Sequence, residues 1–207
     1  AHHLINEGKE ATVLLPDPFP GFLAWLPGAS DILVYTEKPD ACEACLKAAD
    51  VLVFLDFNQP SRSGGLADLV SGLTAKTILM DHHPHPADFA DITISYPQIA
   101  STSEIVFRYI CRTGCFDVMT TECATCVYTG MMTDTGAFTF NSNNEEMYYI
   151  ISQLIRKGID KDDIYAKVYN TYSADRMRLM GFVLHERMQV WEACRTAVIT
   201  LSEKDLA

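Results

Sequence analysis

Short blocks of apolar residues alternate with polar, helix-forming blocks along the first hundred positions. Strand-like runs, brief and rich in β-branched residues, occupy positions 11–15, 32–35, 51–55, 77–80 and 92–95. The run Val51–Leu55 is apolar at every position, which is typical of a strand covered on both faces. The pattern therefore predicts an α/β fold with a doubly wound, mostly parallel sheet, helices on both faces and right-handed crossovers.

Polar and apolar positions then follow a helical period for most of the remaining chain. Ser101 or Thr102 is a suitable cap for a helix that runs through Cys111, and a second helix is predicted over residues 120–132. Further helices are predicted over 143–157 and 160–169. We expect an α/β domain over residues 1–172, a connector helix over 173–192, and the start of a further domain in residues 193–207.

Composition narrows the range of functions. The chain has 207 residues, 48% of them hydrophobic, and a net charge of -11. An acidic balance argues against a general duplex-DNA binder, which needs a basic face, but phosphate substrates stay compatible if metal cations supply positive charge. No apolar run is long enough to cross a bilayer and no signal peptide opens the sequence, so we expect a cytoplasmic protein without a membrane partner.

Seven cysteines are an odd number in a chain of enzyme size, which favours reduced thiols. Two pairs have CxxC spacing, Cys42 with Cys45 and Cys123 with Cys126, and both lie in stretches that predict helices. Four thiolates are able to bind zinc, so a zinc or redox role stays open beside free thiols.

Acidic residues follow two of the predicted strands. Asp56 comes directly after the third strand and Asp81 after the fourth, where Asp81-His82-His83-Pro84 follows. Ligands gather at the carboxyl edge of a parallel sheet, although an Asp that caps the next loop is an alternative. Adjacent side chains of an extended segment point opposite ways, so we expect one imidazole to bind a metal and the other to face substrate. Carboxylates with a single His suit an ion such as Mn²⁺.

Three segments resemble motifs of the DHH phosphoesterases. They are Leu55-Asp56-Phe57-Asn58 through Arg62, Asp81-His82-His83-Pro84, and Thr129 through Phe138 (TGMMTDTGAF). The branch that they resemble most is the NrnA type, whose members degrade very short RNAs and dephosphorylate 3′-phosphoadenosine 5′-phosphate. The resemblance implies hydrolysis by a hydroxide that two Mn²⁺ ions activate, with Mg²⁺ as the alternative cation. The expected substrates are small phosphorylated nucleotides or short single-stranded oligonucleotides.

The resemblance also implies roles for single residues. Asp56 resembles the carboxylate that bridges two metals, and His82 and Asp134 resemble ligands of one of them. His83 resembles the contact to the substrate phosphate, and assistance to the leaving oxygen stays open as a second role that sequence does not separate from binding. Asp81 is expected to orient an imidazole through a hydrogen bond.

Arg62 has two equal interpretations, a contact to a phosphate or a pair with a nearby carboxylate. Family members begin with a strand and a His-x-x-x-Asp-x-Asp motif that nothing in this sequence matches, and they end in a substrate domain that we also do not find. We therefore expect residues 1–207 alone to be inactive or nearly so. Helices after Asn143 favour a homodimer.

Three other functions remain open from the sequence. One is an enzyme of the same fold that acts on pyrophosphate or polyphosphate. Another is a non-catalytic nucleotide-binding module. The third is a phosphoacceptor domain with Asp56 as the acceptor, in which Asp81, His82 and His83 would have no function.

Overall fold

The computed structural model describes residues 1–70 and 72–205, in two compact units. The first unit spans Ala1–Tyr165 and the second begins at Ala166. Among the helices of these residues, none combines the length and the apolar character that a bilayer crossing needs.

Five short strands form two parallel sheets in the first unit. They are β1 (Leu14–Leu15) with β2 (Leu33–Val34), and β3 (Val51–Leu55), β4 (Lys76–Asp81) and β5 (Ile92–Ser95) in that spatial order. Leu55 is in register with Met80, and Asp81 with Ser95. The carboxyl ends of β3 and β4 therefore share one edge of the sheet, and the predicted α/β class is confirmed.

Helices connect and follow these strands. Their bounds are α1 (His2–Asn6), α2 (Pro39–Ala48), α3 (Ala67–Val70), α4 (Thr102–Arg112), α5 (Thr121–Asp134), α6 (Glu145–Arg156) and α7 (Lys161–Tyr169). A 3-10 segment, Pro60–Leu66, precedes α3. The sequence also predicts a helix after residue 65 that continues to about residue 73, and this range includes residue 71, which lies outside the described residues.

One face of the three-stranded sheet packs on an apolar core. Its buried members are Leu46, Leu52, Phe54, Leu66 and Leu79. The opposite face of β3 is different, because its three outward residues are 40–49% exposed. The prediction that β3 is covered on both faces is therefore wrong for the residues that the structure describes. The last three residues of β4 are all buried, as the prediction of a strand covered on both faces requires.

Helices α4 and α5 pack closely together beside the sheet, and α4 also contacts β4. The apolar side of each helix is buried, with Ile110 of α4 and Met131 of α5 fully enclosed. Close approach depends on Gly130, because a Cβ there would collide with the Ser103 side chain of α4. This packing carries the first turn of α4 and the last turn of α5 towards the same edge of the sheet.

The second unit contains a helix and a hairpin. Helix α8 (Ala174–Phe182) continues into a π-helical turn, Val183–Arg187, and β6 (Met188–Trp191) then pairs antiparallel with β7 (Thr196–Ile199). The predicted connector helix, residues 173–192, is thus too long, since the continuous helix that starts at Ala174 ends at Arg187. Val190 and Trp191 favour a strand when a partner strand is available, and β7 provides it. The domain division at residue 172 stays a prediction.

Candidate metal centre

Asp56 is held at the carboxyl end of β3 in an unusual backbone conformation. Its φ is 70°, in the left-handed region that Asp tolerates better than most residues. Its backbone N–H donates to Met80 O at 3.2 Å, which continues the pairing with β4 by one residue. The carboxylate itself is 53% exposed and is accessible from solvent.

His82 lies where two carboxylates converge. Its Nε2 is 3.5 Å from Asp56 Oδ1 and 3.3 Å from Asp134 Oδ2. Its Nδ1 lies 3.1 Å from the Ile99 carbonyl oxygen, an acceptor that requires the proton to be on Nδ1. In the neutral ring with this proton, Nε2 is the nitrogen able to bind a cation, and a backbone partner of this kind is common for a metal-binding His.

Asp134 is the last residue of α5 and brings the second carboxylate. The helix stops there because the chain turns through Gly136, Ala137 and Phe138, which all have positive φ. Burial raises the pKa of Asp134, and the neighbouring Asp56 carboxylate raises it further, while His82 and His83 lower it. A cation between the two carboxylates would remove the repulsion that Asp56 contributes.

His83 has a different partner. Its Nδ1 lies 2.7 Å from Asp81 Oδ1, and Asp81 is fully buried. The interaction that was predicted for Asp81, orientation of an imidazole by a hydrogen bond, is therefore present in the structure and involves His83. The other oxygen, Asp81 Oδ2, is buried without a hydrogen-bond partner among the described residues.

The two imidazoles lie side by side. Their ring centroids are 4.8 Å apart with the planes at 66°. The prediction that they point to opposite sides is wrong, because β4 ends at Asp81 and the chain bends before the alternation of a strand reaches His83. Ligand atoms of Asp56, His82 and His83 all lie within 4.8 Å of one another. Their separate Nδ1 partners still distinguish the two histidines.

Two further residues, Thr102 and Asn58, form hydrogen bonds at the candidate site or beside it, and the sequence did not assign either of them to the metal centre. Thr102 Oγ1 donates to Asp56 Oδ1 at 2.8 Å. Asn58 Nδ2 donates to Pro84 O at 2.9 Å, and Asn58 O accepts from Ala87 N at 2.7 Å. Asn58 thereby ties the loop after β3 to the loop after His83. In the sequence, Asn58 is part of the motif that begins at Leu55, and Ser101-Thr102-Ser103-Glu104 also matches a segment of the DHH phosphoesterases, although a helix cap explains that segment equally well.

A cavity of about 190 Å³ opens beside the two carboxylates. Its lining consists of Leu55, Asp56, Thr102, Ser103, Val106, Gly130, Thr133 and Asp134. Arg62 is not part of this lining. It lies exposed in the 3-10 segment Pro60–Leu66.

The cysteines are all free thiols. Among the described residues, the groups able to hold a metal include neither CxxC pair. Burial raises the pKa of Cys126 to about 11. A second group of side chains able to hold a metal consists of His3, Glu7 and Cys115. Cys115 follows α4 at the end opposite to Thr102, a helix length of roughly 16 Å away.

The donor set at the sheet edge fits a divalent cation of the hard or borderline type. Asp56 Oδ1 and Asp134 Oδ2 each lie within 3.5 Å of His82 Nε2, and both carboxylates are accessible to solvent. The group whose ligand atoms all lie within 4.8 Å of one another consists of Asp56, His82 and His83. Oxygen ligands with a minority of imidazole suit Mn²⁺ or Mg²⁺ better than a thiolate-seeking ion.

Known proteins share this arrangement of elements. A solved structure of an exopolyphosphatase-related protein from Bacteroides fragilis superposes with a TM-score of 0.96, at 50% identity, over 99% of this chain and 60% of that one. A protein of Thermus thermophilus named bifunctional oligoribonuclease and PAP phosphatase NrnA is 32% identical over 177 residues, 86% of this chain and 49% of its own length.

The Bacillus subtilis protein of the same name is 26% identical over 110 residues, which are 53% of this chain and 35% of the relative. The chain thus spans about half, or less, of the length of the curated relatives that it matches. Residues 2–131 match the family described as DHH family, N-terminal domain. This range covers more than half of the chain and contains both Asp56 and the Asp81-His82-His83 motif, so the chain belongs to the DHH family.

Proposed function

We propose that the protein is a metal-dependent phosphoesterase that hydrolyses short oligoribonucleotides or 3′-phosphoadenosine 5′-phosphate. One observation carries the proposal. Asp56 lies at the end of β3, His82 in the loop after β4 and Asp134 at the end of α5. Asp56 Oδ1 and Asp134 Oδ2 each lie within 3.5 Å of His82 Nε2. Ligand atoms from three separate elements that meet at a solvent-accessible edge are what a bound divalent cation requires.

In this proposal Asp56, His82 and Asp134 would hold Mn²⁺, with Asp56 as the residue in common if two ions bind. Cations held there would supply activation of a water and positive charge against the phosphoryl oxygens. The Asp56 carboxylate is half-exposed and Asp134 is one-third exposed, so a phosphate of the substrate has access to this edge.

His83 is the proposed phosphate contact. Asp81 Oδ1 accepts from its Nδ1, which leaves Nε2 to face the substrate and fixes the plane of the ring. Because Asp81 is fully buried, it acts through His83 and does not touch substrate. Arg62 is exposed on the neighbouring segment and is proposed to reach a phosphate further along the substrate.

The names of the similar proteins favour two classes of substrate. The Thermus and Bacillus relatives are named for oligoribonuclease and PAP phosphatase activity, which supports nucleotides. The Bacteroides neighbour is described as exopolyphosphatase-related, which supports polyphosphate as the second candidate. The seven free thiols support a reducing compartment, consistent with the cytoplasmic location that we propose. A homodimer stays a prediction, which sedimentation analysis tests.

The test uses the full natural chain that carries these residues, with and without Mn²⁺. Release of nucleoside monophosphates from a trinucleotide, and of phosphate from 3′-phosphoadenosine 5′-phosphate, is the expected result. Phosphate release from polyphosphate alone would select the second candidate, and nucleotide binding without turnover would select a non-catalytic module. A protein restricted to residues 1–207 is expected to show turnover close to background.

Asp134→Ala is expected to lower kcat/KM by at least about 100-fold, since it removes a metal ligand. The matched control is Asp40→Ala, which removes an exposed carboxylate in the first turn of α2. Full activity of Asp134→Ala would remove this residue from the ligand set. Equal losses in both variants would show that the effect is not specific to the site.

A further inference from the structure

We infer that the first turn of α4 positions the metal site and that Thr102 is the positioning residue that orients Asp56. The inference rests on the proposed function, because it assigns Asp56 as a metal ligand. Thr102 and Asp56 are 46 residues apart in sequence, and the Thr102 hydroxyl donates to Asp56 Oδ1 at 2.8 Å. Thr102 is only 5% exposed, so this hydrogen bond is shielded on the Thr102 side.

The Thr102 hydroxyl is not required to cap its helix. Ser101 has that function, because its Oγ accepts from Glu104 N at 3.2 Å. A Thr inside a helix commonly donates to a carbonyl one turn earlier, but Thr102 is the first residue of α4 and has no preceding turn. Its hydroxyl is therefore free to donate outside the helix, and Asp56 Oδ1 is the acceptor.

The acceptor atom makes the hydrogen bond relevant to metal binding. Asp56 Oδ1 is also the oxygen that lies 3.5 Å from His82 Nε2. One lone pair of Oδ1 accepts from Thr102, which fixes the rotation of the carboxylate and leaves its other lone pairs for cations. Since Asp56 is 53% exposed, its side chain would otherwise exchange among orientations that water satisfies equally well.

Helix packing keeps the donor in place. Gly130 of α5 lets Ser103, the residue after Thr102, approach the backbone of α5. Asp134 lies one turn further along α5 and shares the cavity of about 190 Å³ with Asp56 and Thr102. The same contact thus fixes the distance between the helix that orients Asp56 and the helix that carries Asp134.

The test measures Mn²⁺ binding directly, in the full natural chain, from the EPR signal of free aqueous Mn²⁺. Thr102→Val removes the hydroxyl and keeps the branched shape, and we expect its Mn²⁺ affinity to fall about tenfold or more. Thr102→Ser keeps the hydroxyl and is expected to bind within about threefold of wild type. Thr113→Val is the matched control, because its hydroxyl donates only to backbone oxygens at the other end of α4.

The outcomes separate this inference from the proposed function. If the wild-type protein binds no Mn²⁺, both are overturned. If wild type binds Mn²⁺ and Thr102→Val binds it equally well, only the positioning role is overturned. Equal losses in Thr102→Val and Thr102→Ser would also overturn it, because packing and not the hydroxyl would then be responsible. A loss in Thr102→Val that Thr102→Ser restores, with Thr113→Val unchanged, supports it.

Discussion

Gly130→Ala is the substitution whose energetic effect the structure defines best. A Cβ at this position would meet Ser103 Oγ and lie 2.9 Å from Ser103 Cβ, closer than two such carbon atoms normally approach. The Oγ atom can rotate away, but the Cβ atom moves only with the backbone of α4. The substitution therefore forces α4 and α5 apart at the turn that contains Thr102.

Two opposing contributions set the expected size of the effect. Overpacking of a tight contact costs about 1–3 kcal/mol. Replacing Gly by Ala within a helix gains about 1 kcal/mol of helix propensity. Gly130→Ala in the wild-type background should therefore lower the free energy of unfolding by about 0–2 kcal/mol. Because α4 carries Thr102, the variant should bind Mn²⁺ more weakly as well.

A double-mutant cycle with Ser103→Gly isolates the packing cost. In the Ser103→Gly background the clashing side chain is absent, so Gly130→Ala should stabilise the protein by about 1 kcal/mol. The assay is urea unfolding followed by far-UV circular dichroism and extrapolated to water. An identical effect of Gly130→Ala in both backgrounds would refute the close contact between α4 and α5.

Two smaller effects follow from other hydrogen bonds and from burial. Asp91 Oδ2 accepts from Thr77 N at 2.8 Å and from Thr77 Oγ1 at 2.9 Å, and these bonds lower the pKa of Asp91. A lowered folded-state pKa stabilises the protein at neutral pH, so Asp91→Asn should unfold at lower urea than wild type at pH 7. That gap should close as the pH falls below about 4 and through the lowered pKa. Burial raises the pKa of Cys126 to about 11 from the ordinary thiol value of 9.0. Alkylation of Cys126 by iodoacetamide, measured by mass spectrometry, should therefore be about 100-fold slower than alkylation of an ordinary thiol. A stability difference between Asp91→Asn and wild type that persists in acid would contradict the expectation for Asp91. Rapid labelling of Cys126 in the native state would contradict the expectation for that thiol.

The parts of the fold that local pattern determines were predictable from the sequence. Continuous apolar runs located β3 and β4, and the acidic residues after each run located the sheet edge where Asp56 and His82 meet. The period of apolar positions likewise located α4 and α5 to within one or two residues. In each case a feature of neighbouring residues, period or capping chemistry, is sufficient to specify the element.

Features that depend on distant parts of the chain were not predictable in this way. The local pattern of Met188–Trp191 predicts a helix, whereas the strand that forms there depends on pairing with Thr196–Ile199. The adjacent rings of His82 and His83 depend on a bend after Asp81 that Asn58, from another loop, stabilises. A single sequence contains no direct signal for such contacts.

Thr102 shows why a site can be located from sequence while its geometry cannot. Two hydroxyl residues, Ser101 and Thr102, stand at the start of α4, and either is suited to cap the helix. In the folded protein Ser101 caps the helix and the Thr102 hydroxyl meets Asp56. The candidate ligands are encoded locally, as polar residues where elements end. In our inference their orientation depends on a helix contact that the missing side chain of Gly130 makes possible, so the candidate metal site and the packing of α4 on α5 would change together.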